Sequence, residues 1–168
     1  MAITLVGGGA RSGKSRQALA LARKRGSRLV FLATAEALDE EMAARVAKHR
    51  GERGAEFSTV EEPLEIAAAI RRTTDADAIV IDCLTLWLSN LMLTFGRDVD
   101  AEIEKFIAAA QTSPAAVIAV TNEVGCGIVP DSTLGRDFRD RSGVLNQRVA
   151  AAAEEVYWMI FGQPFRVK

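Results

Sequence analysis

The chain has 168 residues, enough for one domain whose core needs neither disulfides nor metals to hold it. Its 21 basic and 22 acidic residues nearly cancel, which argues against a broad basic surface for nucleic acid. No stretch approaches the ~20 apolar residues of a membrane span and no charged leader precedes a long apolar run, so the composition predicts a single cytoplasmic domain over residues 1–168 with no membrane span.

Residues 2–6 are short, apolar and β-branched, as a buried strand should be. They feed Gly8-Gly9-Ala10-Arg11-Ser12-Gly13-Lys14-Ser15, which matches the P-loop pattern G-x-x-x-x-G-K-[ST]. Apolar residues at helical spacing then predict a helix over 15–24, closed by Gly26. A strand, a glycine-rich loop and a helix in that order aim backbone N–H groups and a helix N-terminus at phosphate oxygens. Lys14 is the cation for the outer phosphates and Ser15 the hydroxyl for a metal. Arg11 is either a second cation or a solvated side chain.

Residues 28–32 read as a second strand, and Asp39 as the N-cap of a helix ending near His49. A charged, glycine-bearing loop covers 50–58, and residues 59–62 lead to Pro63 as the first residue of a helix running to about 73. Residues 78–81 form a buried strand ending in Asp82, an acid placed to hold Mg²⁺ opposite Ser15. Helices over about 85–95 and 100–111 precede a buried strand at 116–120. A loop to about 133 follows, then a helix through 153, a strand from 156 to 161, a turn at Gly162-Gln163-Pro164 and a short last strand at 165–167. Alternating strands and helices predict a mostly parallel α/β sheet with helices on both faces and an antiparallel C-terminal hairpin.

Three further features concern chemistry. The only histidine, His49, stands in Lys48-His49-Arg50 with Arg53 close by. A neutral imidazole among cations is suited to attack phosphorus, although a histidine at a helix end is also a common surface residue favoured by the helix dipole. Thr121-Asn122-Glu123 falls at the carboxyl end of a strand, where open α/β sheets bind ligands, and Arg136, Arg139, Asp140, Arg141, Asn146 and Gln147 read as a solvated helix face. Cys83 and Cys126 belong to no metal-binding pattern and read as two small buried thiols.

Taken in order, these segments resemble the bifunctional adenosylcobinamide kinase / adenosylcobinamide-phosphate guanylyltransferases of cobalamin biosynthesis. The marks are the P-loop, Ala33-Thr34-Ala35, Asp39 to Met42, Arg45 with His49-Arg50, Thr59 to Pro63, Asp82 to Asn90, the Thr121 to Gly125 loop, and Phe138-Arg139-Asp140 with Gly143 and Asn146-Gln147. The resemblance implies a RecA-like P-loop fold and a homotrimer. It makes His49 the nucleophile that takes GMP from GTP. Thr34, Ala35, Glu36, Arg50, Gly51, Glu52, Arg53, Glu61 and Asp82 join Gly8 to Ser15 as nucleotide contacts. It implies ATP or GTP as substrates with Mg²⁺, no tightly bound organic cofactor, and adenosylcobinamide and its phosphate as partners. Phe57 departs from the tryptophan frequent in the family. A P-loop kinase without transferase activity and a nucleotide-dependent binding module are the competing readings.

Overall fold

The computed structural model describes residues 3–35 and 54–168. The expected helix from Asp39 to His49, together with Glu36 and Arg50, Gly51, Glu52 and Arg53, lies outside the described residues.

One seven-stranded sheet organises the chain: β1 (Ile3–Gly8), β2 (Leu29–Ala33), β3 (Phe57–Glu61), β4 (Ala78–Asp82), β5 (Ala116–Val120), β6 (Glu155–Ile160) and β7 (Gln163–Arg166). The strand order is β3-β2-β4-β5-β1-β6-β7, parallel throughout except for the antiparallel β6–β7 hairpin. Helices α1 (Lys14–Arg23), α2 (Ile66–Arg72), α3 (Leu84–Leu93), α4 (Val99–Thr112) and α5 (Thr133–Ala152) complete the described elements.

β5 is apolar at every position, and β4 up to its last residue Asp82, because both faces of the sheet are covered. Side chains still alternate. Ile79, Ile81, Val117 and Ala119 join a core with Leu84, Trp87, Phe106 and Leu145, while Val80, Ile118 and Val120 pack with Ala18, Leu19 and Ala22 of α1 on the other face. Trp87 and Phe106 meet edge to face at 5.6 Å, and the Trp87 indole N–H donates to the Leu64 carbonyl at 2.9 Å, so the largest core side chain has its one polar atom satisfied.

Several expectations shift. Residues 57 and 58, read as loop, belong to β3, whose Thr59 and Val60 pair in parallel with Phe31 and Leu32; as an edge strand with only Phe57 buried, it lacks the apolar run that marks its neighbours. Pro63 does not open a helix. The Glu62 carboxylate instead accepts the amides of Leu64 and Glu65 at 3.2 and 2.8 Å, and α2 begins at Ile66. The C-terminal turn is centred on Phe161 and Gly162, both at positive φ, and Gln163 and Pro164 already lie in β7, where a ring without an N–H is tolerated on an edge strand. Cys126 is exposed, not buried, while Cys83 is buried as expected, and both are free thiols.

Candidate active site

The P-loop connects the carboxyl end of β1 to α1. Gly13 caps that helix at φ 93°, a left-handed conformation that costs glycine little, and so turns the chain sharply into Lys14. Gly8 is required for space: a Cβ there would lie 2.9 Å from Ser12 Oγ and 3.0 Å from the Met159 carbonyl oxygen. Gly9, Ala10 and Arg11 are exposed, and Ser12, Gly13 and Ser15 are half-buried.

Lys14 is 7% exposed. Its ammonium donates to the Gly9 carbonyl and lies 3.5 Å from Ser12 Oγ, folded over the loop it serves. Burial pushes its pKa below the ordinary lysine value, opposed by the negative charges of Cys83, where ionised, and Asp82.

Asp82 reaches this loop through sheet order. β4 is separated from β1 by β5 alone, so the carboxyl ends of β1 and β4 flank that of β5. Ser15 and Asp82 line one cavity of about 490 Å³, together with Arg11, Ser12, Gly13 and Arg16. A hydroxyl and a carboxylate are hard oxygen donors, the set that suits Mg²⁺ when triphosphate oxygens and water complete its shell. No group of three or more metal-ligating side chains occurs among the described residues.

At the carboxyl ends of the strands the structure also forms a hydrogen-bonded layer that the one-dimensional pattern did not reveal. Thr85 Oγ1 accepts from the Asn122 N–H at 2.7 Å, Thr121 donates to Asn146 Oδ1 at 2.6 Å, and the Asn146 amide returns a bond to the Asn122 carbonyl at 3.3 Å. Asn146 therefore leaves the expected solvated face of α5 and tethers the end of β5. Asn90 donates to the carbonyls of Thr34 and Pro63 at 2.8 and 3.1 Å. Thr85 and Asn90, polar like Ser89 within the Leu-rich Leu84 to Leu91 run, were the available signal.

Of the other expected contacts, Thr34 is fully buried with its hydroxyl engaged by the Cys83 backbone, Ala35 is half-buried, and Glu61 is exposed at the end of β3 beside Ala33. Arg16 was missed as a lining residue; it bonds the Gly162 carbonyl at 3.3 Å and so draws the C-terminal hairpin to the cavity. Phe57 carries the Arg23 guanidinium 5.5 Å from its ring centroid, which gives this aromatic position a stacking role without tryptophan.

A phosphate loop after the first strand, an acid one strand removed and a central parallel sheet define a P-loop α/β protein. Solved structures share that fold: the flagellar accessory protein FlaH from Methanocaldococcus jannaschii superimposes with a TM-score of 0.56 at 12% identity, covering 99% of this chain and 78% of that one. The RadB recombinase gives 0.52 at 14% identity over 94% of this chain and 73% of that one.

Residues 4–167 match the family described as cobinamide kinase / cobinamide phosphate guanyltransferase, and the chain belongs to that family of enzymes. It is 42% identical to the bifunctional adenosylcobalamin biosynthesis protein CobU of Escherichia coli (strain K12), over 98% of both chains. It is equally similar to the protein named CobP of Pseudomonas aeruginosa, over 98% of this chain and 96% of that one, and to CobU of Salmonella typhimurium, over 98% of both. Among the described residues no helix is long and apolar enough to cross a membrane.

Proposed function

We propose that this enzyme phosphorylates the aminopropanol hydroxyl of adenosylcobinamide with ATP or GTP, then transfers GMP from GTP to the new phosphate, giving adenosylcobinamide-GDP. The observation that carries the first step is the shared cavity of Ser15 and Asp82 beside Lys14. The phosphate loop holds the triphosphate, Lys14 offsets charge developing on the transferred group, and the acceptor oxygen displaces the nucleoside diphosphate at phosphorus. Ser15 and Asp82 would hold Mg²⁺, which supplies further neutralisation of the phosphate oxygens.

For the second step the resemblance supports His49 as nucleophile. An imidazole nitrogen bonds to the α-phosphorus of GTP as the bond to pyrophosphate breaks; an oxygen of adenosylcobinamide phosphate then bonds to that phosphorus and the histidine leaves. Splitting the transfer lets pyrophosphate depart before the bulky acceptor enters. Glu36, Arg50, Gly51, Glu52, Arg53 and Glu61 join the phosphate loop as nucleotide contacts in this reading. Thr34 and Ala35 belong to the same set of contacts. The same resemblance supports a cytoplasmic homotrimer, which sedimentation would check.

Incubation with α-labelled GTP tests the proposal. The expected product is a protein adduct that survives alkali and is lost in acid, as a phosphoramidate is. His49→Ala should abolish labelling and adenosylcobinamide-GDP formation while leaving phosphorylation of adenosylcobinamide at an appreciable rate. A labelled alanine variant would overturn the histidine mechanism. Phosphorylation without any adduct in the wild type would leave the plain kinase reading standing.

A further inference from the structure

β5 lies between β1 and β4, so the segment leaving Val120 starts between the phosphate loop and Asp82. Open α/β sheets bind ligands outside the carboxyl ends of their strands, so an acceptor for a phosphoryl group held by that loop comes to the end of the sheet from which this segment leaves.

The segment is anchored at both ends. At its start the Thr121 N–H donates to the Val6 carbonyl at 3.0 Å and the Glu123 N–H to the Gly8 carbonyl at 3.1 Å, which ties it to the phosphate loop itself. At its far end Arg136 donates to the carbonyls of Pro130 and Asp131 at 3.1 and 2.7 Å. Gly135 allows the proline ring close approach, since a Cβ there would lie 2.7 Å from Pro130 Cβ.

Between these anchors stand Ile128, 96% exposed, and Val129, 56% exposed, with Leu134 at 56% just beyond. Three aliphatic side chains within seven residues contribute little to the core, although the segment is held by specific bonds on either side of Ile128 and Val129. Aliphatic surface exposed on a segment whose start is bonded to the phosphate loop suits the covering of an apolar ligand surface.

We propose that Ile128, Val129 and Leu134 form an apolar lip that receives the corrin ring of the kinase acceptor, an inference that rests on the function proposed above. The corrinoid is a large amphipathic ring with a long hydroxyl-bearing arm. Seating the ring on the lip leaves the arm to reach the gap between Gly8 and Asp82. The lip takes part in recognition of the acceptor and in no contact with the nucleotide.

The test is steady-state kinetics of the Ile128→Ser/Val129→Ser double variant, with Ile128→Ala as a milder second variant. KM for cobinamide should rise about tenfold in the double variant and less in the single one, with KM for the nucleotide and kcat within about twofold of wild type. Sedimentation, run alongside, should show the same association state. An unchanged cobinamide KM, an equal rise in both KM values, or a changed association state would overturn the proposal, the last by assigning the lip to a second copy of the chain. If the wild type fails to phosphorylate cobinamide, the function proposed above fails instead. Equilibrium dialysis of cobinamide then decides the lip: weaker binding to the double variant supports it, and equal binding overturns it.

Discussion

Thr34 and Cys83 clasp each other across the ends of β2 and β4: the threonine hydroxyl donates to the Cys83 carbonyl and accepts from its N–H, both at 2.8 Å. Cys83 directly follows Asp82, so this clasp fixes the backbone that carries the carboxylate proposed to hold the metal. Thr34→Val keeps the shape but leaves a buried N–H and a buried carbonyl without that partner, at about 1–3 kcal/mol for each unsatisfied group. The variant should show a lower urea midpoint and a raised metal requirement in the kinase assay. Thr34→Ser should retain most of both.

Lys14 is expected to act on the substrate and contribute little to the fold. Lys14→Ala should lower kinase turnover by about a hundredfold or more, from lost electrostatic stabilisation of the transferred phosphate. Its melting temperature should stay close to wild type, because the variant also removes a buried charge whose pKa is already lowered by that burial. Turnover near wild type would remove Lys14 from the mechanism.

Asp77 should make stability depend on acid pH. Its carboxylate accepts from the Arg28 guanidinium at 2.6 Å, and then from the N–H groups of Arg28 and Ser27 at 2.9 and 3.0 Å, which brings its pKa down from 3.8 to about 2. A depressed folded-state value means the contribution is complete above the unfolded-state value and fades as pH falls toward about 2. Wild type should exceed Asp77→Asn in urea midpoint at pH 6, and the gap should close between pH 4 and pH 2.

The two thiols should separate by accessibility. Cys126 is exposed, whereas burial first, and then the neighbouring charge of Asp82, push the Cys83 thiol up to about 11. A disulfide thiol reagent at pH 8 should titrate one thiol per native chain quickly and the second only on unfolding. Cys126→Ser should abolish the fast reaction.

Much of the architecture was legible because it is written locally. The P-loop, the apolar runs of β1, β4 and β5 and the 3.6-residue periodicity of the helices each lie within a few neighbouring residues, and each segment's hydrogen bonding follows from its own pattern. The weakly patterned pieces were not legible. β3 became a strand by pairing with β2, and the last turn fell at Phe161 and Gly162 because strand register, not proline placement, sets it. Sequence could name Ser15 and Asp82 as partners only by their type, since 66 intervening residues carry no distance; the insertion of β5 between β1 and β4 is what brings them to one cavity. The bonds that join Thr85, Asn122 and Asn146 likewise depend on packing between α3, β5 and α5. Local propensity chooses the elements, but which polar groups meet depends on how buried faces pack, and that free energy belongs to contacts between segments far apart in the chain.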